Sequence, residues 1–377
     1  MSTEFVLSPR FRRSPFYDAT VRHGVKGFSI YNKTYLPMAF SDPETEFWQL
    51  VDGVALWDVT GQRIVEISGP DGFAFANLLV PRDLTKCAVG ECKYVVVTAP
   101  DGGILNDPVL LRLEENRFWL SRADSDILMW AQGVAVFAGM DVEVREPDVG
   151  TLQLQGPKSR DVAVALFGAR AAELAYYELV ETALDGMPLV VARTGWSAEL
   201  GYEIYLRDTA RADDLWEAIM AAGSAHGIAP GCPSRIRRIE AGIYDYSVDI
   251  DAATNPFEVG LDRLVDLDQD ADFIGKAALR RIAAEGVTRK LVGIEVDGAP
   301  LHYNDYRWPA TRGGAAIGHV TSCVYSPRLE KNIGFAMLDL ADTALGTEIE
   351  VAPPDGPRRA VVVEKPFFDP KKHLSRD

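Results

Sequence analysis

The chain has 377 residues, 47% of them hydrophobic and 25% charged, which is the composition of an ordinary globular protein. Its 39 Lys and Arg residues face 55 Asp and Glu residues, and the net charge of −16 argues against nucleic acid or an anionic membrane as a partner. The four cysteines lack CxxC spacing, so we expect reduced thiols in a cytoplasmic protein. The sequence contains no apolar run of signal-peptide or membrane-spanning length.

Periodicity and turn signals predict two successive regions with the same order of elements: a strand that ends at Gly-Pro, a helix, and a hairpin. The predicted elements of the first region are a helix over 42–53, strands over 63–67, 94–98, 106–112 and 118–121, and helices over 71–79 and 127–137. Those of the second are strands over 152–155, 187–194 and 202–206 and a helix over 212–223. From residue 289 onward, short strands separated by Gly, Pro and Asp favour a separate β-barrel.

The expected fold class is therefore α+β, with two related α+β units and a C-terminal β-barrel domain. The first unit is predicted to be discontinuous, over 1–55 and 150–267, and the second to cover 56–149. A connector over 268–288 leads to the barrel over 289–377.

Common catalytic motifs are absent from the sequence. It has no P-loop, no HExxH and no G-x-G-x-x-G after a strand, and the five histidines form no i, i+4 pair. We therefore predict neither a metal site nor a nicotinamide cofactor.

Two segments place polar groups where structure alone does not require them. In the first, a predicted hairpin leads into Asn106 and Asp107, although Asp is disfavoured in strands. Asp107 either faces a pocket or caps the turn. In the second, Trp196, Glu203 and Tyr205 surround a glycine-bounded turn, and alternation puts Glu203 and Tyr205 on one face of a strand. A carboxylate beside aromatic rings suits a flat, hydrogen-bonding heterocycle, whereas Trp196 could equally be a core residue.

These segments and several others resemble the folate-dependent aminomethyltransferase family, typified by the T protein of the glycine cleavage system. The similarity extends over nearly the whole chain. The similar segments are 56–60, 67–70, 94, 102–107, 155–157, 193–195, 201–203, 238–241, 255–261, 273–276, 325–327 and 365–368. The resemblance implies three domains in a ring around a folate channel, with a β-barrel as the last domain.

The resemblance also implies a cofactor and roles for particular residues. The cosubstrate would be tetrahydrofolate, with Asp107 beside its reactive nitrogens and Tyr94 in contact with it. Glu203 would pair with the pterin ring, since a carboxylate can accept two hydrogen bonds from the ring's amino and N–H groups. Trp196 and Tyr205 would complete the folate site.

The chain departs from the T protein at positions that resemble the dimethylsulfoniopropionate demethylase branch. Asn106 stands where the T protein has Asp, Ser234 where it has Arg, and Gly61 where it has His. The stretches similar to the demethylase branch are 13–16, 24–26, 31–32, 81–84, 103–108, 118–121, 123–126, 195–197, 231–233 and 325–328. The resemblance thus implies methyl transfer from dimethylsulfoniopropionate to N5 of tetrahydrofolate.

A sulfonium donor requires a cage of aromatic faces, since each face stabilises a desolvated cation by about 2 kcal/mol. The candidates for this cage are Trp196, Tyr205, Tyr31 and Phe16, and Arg13 and Lys33 are candidates for binding the donor carboxylate. Other donors stay open: an N-methyl or aminomethyl amine, or an aromatic methoxy group with Tyr31 as the acid. A non-catalytic folate-binding protein is a further alternative. The sequence does not decide the oligomeric state, and a homodimer stays open.

Overall fold

The structure is a computed structural model that describes residues 7–376. The α-helices are α1 Tyr17–Arg22, α2 Pro43–Asp52, α3 Gly72–Leu79, α4 Ile127–Ala138, α5 Ser159–Phe167, α6 Ala169–Glu173, α7 Ala212–Gly223, α8 Arg235–Glu240, α9 Lys276–Glu285 and α10 His373–Arg376. Short 3-10 turns cover Leu84–Lys86, Thr209–Arg211, Ser224–His226, Asp262–Leu264 and Leu340–Asp342.

The strands group into sheets that follow chain order only in part. They are β1 Gly27–Tyr31, β2 Thr34–Ala39, β3 Ala55–Asp58, β4 Ile64–Ser68, β5 Cys92–Tyr94, β6 Val97–Thr98, β7 Ile104–Asn106, β8 Val109–Glu114, β9 Arg117–Ser121, β10 Glu143–Arg145, β11 Gly150–Gln155, β12 Leu179–Leu184, β13 Met187–Ala192, β14 Gly201–Leu206, β15 Ala229–Gly231, β16 Arg289–Val296, β17 Trp308–Arg312, β18 Ala315–Ser326, β19 Lys331–Asp339, β20 Glu348–Val351 and β21 Arg358–Val363.

Two sheets pack face to face, and helices cover their outer faces. One sheet has six strands in the order β12-β13-β14-β11-β3-β15, and the other has five in the order β10-β4-β9-β8-β5. Residues of α1, α5 and α7 cover the outer face of the six-stranded sheet, and α3 and α4 cover that of the five-stranded sheet. Tyr205, Cys92 and Trp119 pack together between the two sheets. Because side chains alternate along a strand, each sheet sends every second residue into this interface.

The C-terminal part of the chain closes into a barrel in the order β16-β19-β18-β17-β20-β21, as the sequence predicted. A second apolar cluster joins the barrel to the rest of the protein. It combines Phe47 of α2, Ile104 of β7 and Ile239 of α8 with Phe335 and Met337 of β19. The barrel is therefore packed against the elements that carry the candidate site.

Local signals predicted most elements well, and the helix over 42–53 shows why. The Asp42 side chain accepts a hydrogen bond from the Thr45 N–H at 3.0 Å, and the helix ends before Gly53. The two strands expected over 94–98 and 106–112 are each broken in two, into β5 with β6 and β7 with β8. Pro108 lies at the second break, where it cannot donate a backbone hydrogen bond to a ladder.

Sheet pairing corrects one boundary of the predicted domain division. Residues 56–58 of strand β3 fall in the predicted second unit, but the strand pairs with β11 in the six-stranded sheet, with Leu154 opposite Leu56. The boundary between the units therefore falls after Asp58, and the other bounds stay a prediction. The predicted connector over 268–288 contains α9. Residues 1–6 of the first unit and Asp377 of the barrel segment lie outside the described residues.

All four cysteines are free, and three of them are buried: Cys87, Cys92 and Cys323. None of the helices described within residues 7–376 is long and apolar enough to cross a membrane.

Candidate active site

Tyr94 and Asp107, predicted separately from the sequence, meet in one hydrogen bond. Tyr94 ends β5 and Asp107 directly follows β7, and the Tyr94 hydroxyl donates to Asp107 Oδ2 at 2.9 Å. The turn that joins β6 to β7 is capped by another residue, because Asp101 Oδ1 accepts from the Gly103 N–H at 3.0 Å. The carboxylate of Asp107 is therefore not needed to close the turn.

Burial makes Asp107 an unusually weak acid. Loss of hydration raises the pKa of Asp107 to about 8, and the negative charges of Asp245 and Asp249 act in the same direction. The hydrogen bond from Tyr94 opposes this shift without cancelling it. The carboxyl group is accordingly protonated in most molecules at neutral pH, and once ionised it is a stronger base than an ordinary aspartate.

Asn106 holds Asp107 in place by fastening β7 to the loop after β9. Its side-chain amide donates to Ala123 O at 3.0 Å and to Ser125 Oγ at 2.8 Å, and its side-chain oxygen accepts from Ala123 N at 3.0 Å. An aspartate at this buried position would lack both donors. The amide therefore explains why this chain carries Asn before Asp107.

Tyr31 lies near Asp107 because its neighbour Asn32 is held by hydrogen bonds. The Asn32 N–H donates to Asp124 Oδ1 at 2.7 Å, and its side-chain amide donates to the carbonyl oxygens of Gly61 and Ala123 at 2.9 and 3.0 Å. Burial raises the pKa of the Tyr31 hydroxyl well above its usual value, and the carboxylates of Asp245 and Asp107 contribute. Tyr31 therefore shares its surroundings with Asp107.

Glu203 lies on the inner face of β14, in the interface between the two sheets. Its carboxylate accepts from Gln153 Nε2 at 2.7 Å and from Tyr205 Oη at 3.1 Å, and it also accepts from the Thr194 hydroxyl. The side chain is 2% exposed, and burial raises its pKa. A pterin that bound to this carboxylate would have to replace one or more of these donors.

Trp196 packs against a buried arginine. The guanidinium carbon of Arg238 lies 5.7 Å from the centre of the Trp196 ring and 5.6 Å from that of Tyr303. Arg238 donates to Asp249 at 2.7 Å, and Asp249 and Asp245 act electrostatically on Asp107. Trp196 therefore belongs to the surroundings of Asp107, but a cation of the protein itself, Arg238, already contacts its ring.

The structure corrects the assignment of Phe16 to the donor cage. Phe16 is fully buried on the outer face of the six-stranded sheet, where its ring packs 6.3 Å from that of Trp216. Glu203 projects from the opposite face of that sheet, so the two side chains are separated by the sheet itself. Tyr205 is on the same face as Glu203, as predicted, and its ring lies 5.9 Å from that of Trp119.

Sequence reasoning missed the charged residues that surround Asp107. Arg238 and Asp249 form a fully buried ion pair, and Asp245 is half-buried beside it. Arg238 lies in α8, a helix whose residues from Ile236 onward are all buried. Helix α8 reads RIRRIE, a composition typical of an exposed helix, so no sequence signal indicates that Arg238 is buried.

Comparisons with known proteins identify the family of this chain. The model of the GCVT N-terminal domain matches residues 16–269, and that of the glycine cleavage T-protein C-terminal barrel domain matches residues 289–369. The chain belongs to the glycine cleavage T-protein family. This membership confirms the predicted enzyme class, a tetrahydrofolate-dependent transferase, and the predicted cosubstrate.

Individual relatives support the same family. A dimethylsulfoniopropionate demethylase, DmdA of Ruegeria pomeroyi, is 37% identical over 95% of this chain and 97% of that protein. An aminomethyltransferase of Symbiobacterium thermophilum is 33% identical over 96% of this chain and 98% of that protein. The structure of glycine cleavage system aminomethyltransferase T from Bartonella henselae superposes with a TM-score of 0.85 at 23% identity, covering 95% of this chain and 98% of that one, which shows the same fold.

Proposed function

We propose that this family member transfers a methyl group from dimethylsulfoniopropionate to N5 of tetrahydrofolate. The similarity to the Ruegeria demethylase over almost the full length of both proteins is the observation that carries the proposal. The site geometry supports it, since Asp107 offers a base and no histidine is among the neighbours described above. A sulfonium leaves as a neutral thioether and needs no general acid.

The displacement makes limited demands on the protein. The electron pair of N5 forms the new bond to carbon while the pair of the carbon–sulfur bond stays on sulfur. The methylated N5 then loses its proton, which the ionised Asp107 accepts. A cationic donor beside Asp107 favours the ionised carboxylate and thereby prepares the base. Alignment of the two reactants would supply the largest share of the rate, about 7–11 kcal/mol of barrier in well-oriented systems.

We assign to the remaining site residues the roles that were predicted from the sequence. Tyr94 orients Asp107 and contacts the folate, Glu203 pairs with the pterin, and Tyr205 and Trp196 contact both ligands. Tyr31 offers an aromatic face to the donor. The Symbiobacterium relative favours one alternative, an amine that donates an aminomethyl or N-methyl group at the same folate site. Cytoplasmic location and a homodimer stay predictions from the sequence.

A panel of donors tests this proposal. The purified protein is incubated with tetrahydrofolate and with dimethylsulfoniopropionate, dimethylglycine or vanillate, and 5-methyltetrahydrofolate is measured. We expect product from the sulfonium together with an equal amount of its demethylated thioether. Product from dimethylglycine alone or from vanillate alone would refute the sulfonium donor and leave the folate site intact.

A further inference from the structure

The position of the Trp196 ring depends on the loop that carries it. This loop covers residues 193–200, between the end of β13 and the start of β14. Trp196 itself is half-buried, and the four residues that follow it, 197–200, are buried. Because the loop contains no helix or strand, its shape depends on contacts with other elements of the fold.

Gln155 at the end of β11 fastens the loop on both sides of Trp196. Its side-chain nitrogen donates to Thr194 O at 3.2 Å, and its side-chain oxygen accepts from the Ser197 hydroxyl at 2.6 Å. A Cβ atom on Gly195 would lie 2.2 Å from this side-chain oxygen, so only glycine fits at that position. Gln155 therefore fixes the path of the backbone immediately before and after Trp196.

Arg237 of α8 fixes the next part of the loop. Its Nε donates to Glu199 Oε1 at 2.6 Å, and its Nη2 donates to Ala198 O at 3.2 Å. Ala198 has a φ of +55°, in the left-handed region that residues other than glycine rarely adopt, and such a conformation persists only where its surroundings hold it. The guanidinium is fully buried and packs 5.4 Å from the centre of the Phe368 ring, which keeps it in place.

One short helix thus contacts both the Trp196 ring and the backbone that carries the ring. Arg238 lies 5.7 Å from the ring centre, while Arg237 bonds to Ala198 and Glu199. Since the two arginines are consecutive in α8, a change in how Arg237 holds the loop also changes where the ring lies relative to Arg238.

Stability alone does not explain a buried arginine at position 237. Arg237 Nη1 lies 3.8 Å from Glu240 Oε2, too far for a hydrogen bond, and neither atom has a hydrogen-bond partner among residues 7–376. A buried ion pair stabilises a fold little compared with apolar side chains of the same size, and polar atoms without partners add to its cost. The arrangement therefore favours a role in placing the loop.

We propose that Arg237, together with Glu199, is a positioning residue that directs the Trp196 ring towards the methyl donor. The inference rests on the proposed function, which places the donor at this ring. Arg237 acts on the donor through the loop, so its loss weakens donor binding. The folate site keeps its support, because Glu203 accepts a hydrogen bond from Gln153 of β11 at 2.7 Å.

Four variants test this role. Arg237→Lys keeps the charge but loses the planar fork that binds the loop at two points, and Glu199→Gln keeps an acceptor oxygen without its charge. Trp196→Leu removes the ring itself. Arg117→Lys is the matched control, because Arg117 Nε also donates to a buried glutamate, Glu66, at 3.0 Å, but within the five-stranded sheet. The donor KM, kcat, tetrahydrofolate affinity and free energy of unfolding are measured for each variant and for the double variant Arg237→Lys/Trp196→Leu.

Arg237→Lys should raise the donor KM about three- to tenfold, as expected for a weakened contact between a cation and an aromatic ring, with kcat and tetrahydrofolate affinity nearly unchanged. Glu199→Gln should have a smaller effect in the same direction. In the Trp196→Leu background, Arg237→Lys should raise the KM no further, because the effects of residues that act through one another do not add. Arg117→Lys should leave the donor KM at its wild-type value.

The proposal is overturned if Arg237→Lys leaves the donor KM unchanged, or if it raises the KM by the same factor with and without the Trp196 ring. It is also overturned if the donor KM and the tetrahydrofolate affinity worsen together in Arg237→Lys and Arg117→Lys, in proportion to the stability that each variant loses. The arginine would then have a structural role only.

The fluorescence of Trp196 separates this inference from the proposed function. If the wild type forms no 5-methyltetrahydrofolate from dimethylsulfoniopropionate, the proposed donor is wrong, and the position of the ring is measured without a ligand. The emission of Trp196 is obtained by subtracting, for each protein, the spectrum of the same protein with the Trp196→Leu substitution. Stronger quenching of this emission by acrylamide in Arg237→Lys than in the wild type and Arg117→Lys supports the positioning role. Equal quenching in all three proteins overturns it.

Discussion

Asp107 should reduce the stability of the protein as the pH rises to neutral, and replacing Asp107 with a side chain that does not titrate should remove this pH dependence. Its folded-state pKa of about 8 lies above the value near 4 of an unfolded aspartate, so the folded protein binds the extra proton between these values. Stability that is present below pH 4 is therefore lost as the pH rises towards 8. The upper limit is about 1.4 kcal/mol for each pH unit in this window.

The half-buried side chain keeps some contact with solvent, so we expect a smaller effect, about 1–2 kcal/mol between pH 5 and pH 7. Asp107→Asn keeps the size of the side chain and removes its titration. The free energy of unfolding of the variant, measured with denaturant, should fall less between pH 5 and pH 7 than that of the wild type. The variant should also be inactive, because it lacks the base.

The control is Asp305→Asn, which removes an exposed carboxylate in a loop of the barrel domain. It should follow the pH dependence of the wild type. If Asp107→Asn and the wild type lose stability in parallel from pH 5 to pH 7, Asp107 does not carry a raised pKa, and its assignment as the base loses its physical support. A variant that loses stability but keeps full turnover would instead make Asp107 a structural residue.

Three further predictions concern activity and binding. The kcat/KM of methyl transfer should rise with pH up to about 8 and then level off, because only the ionised Asp107 accepts the proton; a flat profile from pH 6 to pH 9 would contradict this role. Glu203→Gln should weaken tetrahydrofolate binding by about 1.5–3 kcal/mol in calorimetry, since one acceptor becomes a donor; unchanged affinity would remove Glu203 from the pterin site. Trp196→Leu should raise the donor KM and leave tetrahydrofolate affinity nearly intact. An unaltered donor KM would show that the Trp196 ring stabilises the Arg238 guanidinium and not the cationic donor.

Local sequence signals predicted the parts of the site that depend on neighbours along the chain. Alternation along β14 placed Glu203 and Tyr205 on one face, and their side chains are hydrogen-bonded in the structure. The same reasoning failed for Phe16, because its position depends on which face of a distant sheet α1 covers. Arg238 was missed for a similar reason. Its partner Asp249 lies 11 residues further along, beyond the end of α8, and its neighbour Tyr303 lies 65 residues further along. No helix or strand periodicity predicts that these side chains meet.

Tertiary contacts also decided the environment of Asp107. The sequence located it at the end of a hairpin strand, but its raised pKa comes from burial and from Asp245 and Asp249, which lie more than a hundred residues further along the chain. Resemblance to a family supplied the role of the residue, and the fold supplied the physical cause of its altered acidity.

The buried Arg238–Asp249 pair makes the barrel inseparable from the rest of the enzyme. Ser322 in β18 accepts from Arg238 Nη2 at 2.7 Å and donates to Asp249 at 2.6 Å, and Thr321 also donates to Asp249 at 2.6 Å. A fragment that stops before residue 289 would keep the ion pair but lose these hydroxyl partners, and each lost hydrogen bond to a charged group costs about 1.5–3 kcal/mol. Gene fragments cut between residues 269 and 289, where the two matched domains adjoin, are therefore poor material for crystallography or directed evolution. Swapping barrels between relatives would succeed only where both hydroxyls are kept.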